Sequence, residues 1–121
     1  MADMQNIVSR YLAAFNELDS DKRRVLLDGL YGEDSTYTDP HVDLRGPEQI
    51  DAFISSTQER FPGFVFQLGG ELDTHHNQAR FQWHASPAGA SDPTYVGFDV
   101  IVTEGGRVRS VYGFMDAAPA A

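Results

Sequence analysis

The sequence predicts an α+β fold, with three helices followed by a mostly antiparallel sheet that they cover on one face. Two observations predict it. Apolar residues recur at three- and four-residue steps through the first sixty positions, and from Phe64 onward they alternate in twos. Breaker residues punctuate the chain between these segments, as in Phe61-Pro62-Gly63, Pro87 to Pro93 and Glu104-Gly105-Gly106.

Ile7, Val8, Tyr11, Leu12, Phe15 and Leu18 form the apolar stripe of a first helix. Ser20 reads as the N-cap of a second, which carries Val25, Leu26, Leu27 and Leu30 and weakens at Gly29 and Gly32. A short extended stretch, Ser35 to Thr38, enters Asp39-Pro40, where the proline holds Asp39 out of helical geometry. Gly46-Pro47-Glu48 opens a third helix with proline in its first turn, and Ile50, Phe53, Ile54 and Thr57 line its inner face. Strands then follow at Phe64 to Leu68, Gln78 to about Ser86, Thr94 to Thr103 and Arg107 to Met115. Gly69-Gly70 marks a bulge or bend, Asp73 to Asn77 a turn, and the alanine-rich tail after Asp116 a frayed end. No repeat or linker divides the chain, so a single domain over residues 1–121 is expected.

Composition narrows the function. Nine basic against 18 acidic residues give a formal charge of −9, which argues against a nucleic-acid partner. With no cysteine, disulfides and thiolate metal sites are excluded. No apolar run approaches the roughly 20 residues that span a bilayer, and the N-terminus lacks a signal-peptide pattern, so a cytoplasmic location off the membrane is expected. Asp39, His41 and Asp43 alternate and could present one face to a divalent ion, but with Pro40 among them no metal is expected. No cofactor is expected either.

Two aspartates stand out. Asp39, extended before a proline, can project a carboxylate into a cavity as a general base, or can cap the amides of its own turn. Asp99 interrupts an apolar strand and shares a face with Tyr95, Gly97 and Ile101. A carboxylate there requires a partner, a proton or a function. One reading pairs it with Arg80, Arg107 or Arg109. Tyr11 lies on the inward stripe of the first helix, and Phe15, Tyr31, Tyr37, Phe53, Phe66, Trp83, Tyr95 and Phe114 are candidate pocket walls.

Tyr37-Thr38-Asp39-Pro40, Gly46-Pro47-Glu48-Gln49-Ile50 and Gly106-Arg107-Val108, in this order of elements, resemble the nuclear-transport-factor-2-like superfamily. Within it the chain looks most like SnoaL-like proteins and ketosteroid isomerases. The resemblance covers about residues 5 to 116. It implies a strongly curved sheet forming a cone with an interior apolar pocket, and homodimers made by sheet-to-sheet packing. It also implies that Asp39 matches the general base of the isomerases. Asp99, eight positions before Arg107, matches the acidic residue of the SnoaL-type cyclases. The isomerases' protonated acid falls at Phe98 in this register, and a one-residue slip reverses the face. Tyr11 lies a residue or two from the isomerases' tyrosine, and the cyclases' histidine has only His84 nearby. Three readings follow: a cofactor-free isomerase, cyclase or dehydratase acting on a small hydrophobic carbonyl compound, a non-catalytic ligand-binding protein, or a dimerisation module.

Overall fold

The computed structural model describes residues 3–119. Helix α1 (Met4–Asn16) is capped by Asp3, whose carboxylate accepts the amides of Gln5 and Asn6 at 3.1 and 3.3 Å. It buries Ile7, Val8, Tyr11, Leu12 and Phe15. Leu18 falls past the helix end and is 77% exposed, so the stripe stops one turn earlier than its spacing suggests. Helix α2 (Ser20–Leu30) is capped by Asp19, not Ser20, with amides of Asp21 and Lys22 donating at 2.9 and 3.0 Å. A carboxylate at that position also meets the positive end of the helix dipole. Only Leu27, Leu30 and Arg23 are buried on α2, while Val25 is 74% exposed.

Strand β1 (Tyr31–Thr38) follows α2 directly, starting four residues before the extended stretch read from the sequence. A turn over 39–42 returns the chain as β2 (Asp43–Arg45), a short antiparallel partner of β1 that the sequence pattern did not reveal. Helix α3 (Gly46–Arg60) has Pro47 in its first turn and buries Ile50 and Ile54. The remaining strands are β3 (Phe64–Leu68), β4 (Asp73–His75), β5 (Gln78–Pro87), β6 (Tyr95–Glu104) and β7 (Arg107–Ala117). The stretch expected as a turn at 73–77 contains β4, which pairs with β5. Gly105 and Gly106, both at positive φ, make the two-residue turn joining β6 to β7.

Seven strands form one sheet in the order β2-β1-β7-β6-β5-β3, with β4 beside β5. All pairs are antiparallel except β1 with β7, so the sheet is mixed. Register shifts between Tyr31 and Thr36, Val96 and Gly97, and Val102 and Thr103 are the irregularities by which such a sheet bends around its helices. One core joins α1, α3 and the concave sheet face through Ile7, Phe15, Ile54, Phe81, Ile101 and Val111. Among the described residues, no helix is long and apolar enough to cross a membrane.

Candidate active site

The concave face and the helices enclose a cavity of about 610 Å³, a size suited to a small organic ligand. Alternation along β6 turns Gly97, Asp99 and Ile101 inward, and Asp99 ends up 2% exposed at the cavity wall. Tyr11 donates its hydroxyl to Asp99 Oδ2 at 2.7 Å, and the Trp83 indole N–H donates to Oδ1 at 3.2 Å. No cation pairs with Asp99 among the described residues. The arginine partners considered for it are engaged elsewhere. Arg80 meets Asp73, Arg109 approaches Glu104, and Arg107 donates to the carbonyls of Asp28 and Tyr31.

Loss of water pushes the Asp99 carboxyl up to about 6. The hydrogen bonds from Tyr11 and Trp83 oppose that rise, and the charge of Asp39 adds to it. Burial, followed by the Asp99 charge, raises the hydroxyls of Tyr11, Tyr31 and Tyr37 above the usual tyrosine range. All three therefore remain protonated donors at any pH the protein meets.

Asp39 borders the same cavity but is held differently. Its Oδ1 accepts the amides of His41 and Val42 at 2.8 and 3.1 Å, and its Oδ2 accepts the Tyr37 hydroxyl at 2.9 Å. This carboxylate organises the turn between β1 and β2. Gly113 lies between the two acids. A Cβ there would come within 2.9 Å of Asp99 Oδ1 and 3.2 Å of Asp39 Cβ.

Residues 8–111 match the SnoaL-like domain family. A SnoaL-like family protein from Agrobacterium tumefaciens, considered an isomerase, is 36% identical over 93% of this chain and 97% of its own, with a TM-score of 0.88. The chain belongs to the SnoaL-like family. A ketosteroid isomerase candidate from Kribbella flavida superposes with a TM-score of 0.70 at 17% identity, covering 96% of this chain and 79% of its own. A polyketide cyclase candidate from Sinorhizobium meliloti gives 0.70 at 16% identity, covering 89% of this chain and 93% of its own. At those identities the likeness shows the fold alone. None of the curated proteins matches the sequence.

In this SnoaL-like protein Tyr11, Phe15, Tyr37, Asp39, Phe53, Phe66, Trp83, Tyr95 and Asp99 all line the cavity. Two candidate wall residues lie elsewhere. Phe114 points outward from β7 and is 59% exposed, because Gly113 and Met115 take the inward positions. Tyr31 is fully buried beyond the cavity lining, its hydroxyl without a partner among the described residues. His84 turns outward, bonding to Gln82 and packing over Gly69. Asp39, His41 and Asp43 do not converge, and the described residues contain no group of three side chains placed to hold a metal. Trp83, an apolar wall by its sequence position, also donates its N–H to Asp99, a role that no spacing along the chain signals. His41, Ser56 and Arg60 also border the lining, and no pattern in the sequence marks them for it.

Proposed function

We propose that the protein is a cofactor-independent isomerase or cyclase in which Asp99 is the acid/base on a small hydrophobic carbonyl compound. The observation that carries this reading is a buried carboxylate facing an apolar cavity, paired with two neutral donors and no cation. Its proton affinity, raised to about 6, lies near neutral pH, where a general base both remains ionised and accepts a proton readily. Each oxygen holds one donor and keeps a lone pair free. Asp99 would remove a proton from the carbon beside the carbonyl, and the electron pair would move onto the carbonyl oxygen as an enolate. Where a double bond extends the enolate, returning the proton from Asp99 to its far carbon gives isomerisation; attack of the enolate on a second carbonyl, whose oxygen then takes that proton, gives cyclisation. Tyr11 and Tyr37 border the cavity, but their hydroxyls are already donated to Asp99 and Asp39, so either would have to turn from its carboxylate to serve the enolate oxygen.

Asp39 supports a different role. With three hydrogen bonds from its own turn and Tyr37, it shapes the cavity rim. The same arrangement favours, as second reading, a pocket that binds an apolar ligand without turnover.

Exchange of carbon-bound protons for deuterium in small cyclic ketones, followed by NMR in D2O, tests the shared first step. The wild type should catalyse exchange, and Asp99→Asn should reduce it by about 10²- to 10⁴-fold while still binding the ketone. Ketone binding with no catalysed exchange would leave the binding protein as the surviving reading.

We further propose that the outer sheet face pairs with a second copy of this chain. Tyr112 and Phe114 are exposed there beside Val100 and Phe98, their register partners on β6. Bulky apolar side chains gathered on one open face favour a covered surface.

A further inference from the structure

Trp83 and Gly97 are register partners across β5 and β6. A Cβ on Gly97 would collide with Cζ2 and Cε2 of the indole and lie 2.5 Å from its Nε1. The ring therefore rests on bare backbone and crosses β6. From there its N–H reaches Asp99, two residues further along the same strand, at 3.2 Å. Phe66 packs against the indole with ring centroids 5.7 Å apart. Glycine inside a strand weakens it, and at this buried position, beside the register shift on the β7 side and paired with Trp83 on the β5 side, it needs a reason. Here the reason is the space the indole occupies.

We propose that Gly97 is a positioning residue of the cavity: its missing side chain lets the Trp83 indole lie across β6, which aims the N–H at Asp99 and fixes the orientation of that carboxylate. The proposal rests on Asp99 as the acid/base group, because only then does its orientation govern the chemistry. Gly113 completes the arrangement from β7, where a side chain would press on Oδ1, the oxygen that Trp83 holds. The carboxylate thus occupies a slot between two glycines, one bare to admit a ring and the other bare to admit the oxygen.

The chain has one tryptophan, so its fluorescence reports on Asp99 directly. Facing Asp99 are Tyr11 from α1, Tyr31 and Tyr37 from β1, and Asp39 beyond β1, with His41 and Arg60 on the cavity lining. Wild-type emission should change in one step between pH 4 and 8, with the midpoint near 6. The step should vanish in Asp99→Asn and persist in His41→Gln, a control needed because imidazoles titrate in the same range. Gly97→Ala, with its fold checked by far-UV circular dichroism, should lose the step. Its Asp99 carboxyl carbon, followed by NMR, should titrate higher than in the wild type, because a donor that favours the ionised form has gone. Trp83→Phe should shift Asp99 in the same direction, and adding Gly97→Ala to it should produce no further shift.

An unchanged Asp99 titration in Trp83→Phe would overturn the proposal, as would additive shifts in the double variant or a fluorescence step that follows His41. If Gly97→Ala does not fold, the double variant with Trp83→Phe decides: recovered folding, with the clashing indole gone, supports the proposal, and no recovery overturns it. None of these measurements uses a substrate. Failure of ketone exchange would therefore remove the proposed activity while leaving the positioning result intact, and the converse holds equally.

Discussion

Because Asp99 is buried without a cation, it makes folding sensitive to pH with a definite sign. Its carboxyl titrates near 6 in the folded chain and at the ordinary value, about 3.9, in the unfolded chain. Between these values the folded state holds more protons, so this group's contribution to stability declines as pH rises from about 4 to 6. Two units of difference correspond to roughly 3 kcal/mol at most. Asp99→Asn should remove that slope, read as the difference between wild-type and variant urea midpoints at pH 4.5 and 7. A parallel pair of pH profiles would show that Asp99 titrates as an ordinary carboxylate. Asp39→Asn should reduce ketone exchange less than Asp99→Asn, because an asparagine oxygen can still accept the turn amides. The reverse order of effects would exchange the two roles.

Helix α2 exposes most of its length and is fastened by Leu27 and Leu30 at its end and by one charged residue near its start. Arg23 lies buried between the helices, donating to Asp51 at 2.6 Å and to the Glu17 carbonyl and Gln58 side chain at 3.0 Å each. Gln58 in turn donates to the carbonyls of Phe15 and Glu17 at the end of α1. These bonds satisfy helix-end acceptors that would otherwise be buried without partners. Arg23→Ala leaves Asp51 and the Glu17 carbonyl without those bonds and should cost about 3 kcal/mol in urea unfolding. Arg23→Lys should recover little, because an ammonium cannot reproduce the planar fork that reaches three acceptors from one position. Full stability in Arg23→Ala would show that the cluster does not hold the helices together, and full stability in Arg23→Lys that the planar fork is not needed.

At the scale of the whole molecule, the sheet has two different faces. The concave face closes on the helices and holds the cavity, and the outer face presents Tyr112 and Phe114. Phe114→Asp should convert a dimer to a monomer in size-exclusion chromatography with light scattering, without altering the pH step assigned to Asp99. Two copies each carrying a formal charge of −9 repel, so added salt should strengthen the association. A wild-type protein that is monomeric at high salt and high concentration would refute the pairing.

Periodicity and breaker residues alone determined the three helices, the four long strands and the order of the elements, because each period reflects the local geometry that buries one face. Strand alternation also placed Asp99 on one face with Gly97 and Ile101, and the packing of the helices made that face the inner one. Two short strands escaped this reading. Strands β2 and β4 have three residues each, too few for a period to appear, and they exist because a neighbouring strand offers them partners. What surrounds Asp99 was likewise a tertiary decision. Tyr11 is 88 positions away and Trp83 is 16 away, and no spacing along the chain signals that both donate to one carboxylate. The glycines at 97 and 113 carry no signal of their role in the sequence; only the approach of an indole and a carboxylate gives them a purpose. Asp39-Pro40 was legible as a turn, and the structure decided that its carboxylate serves that turn first. Local sequence sets which face a side chain takes. The packing of distant elements sets what it meets there, and the chemistry of a buried carboxylate depends on what it meets.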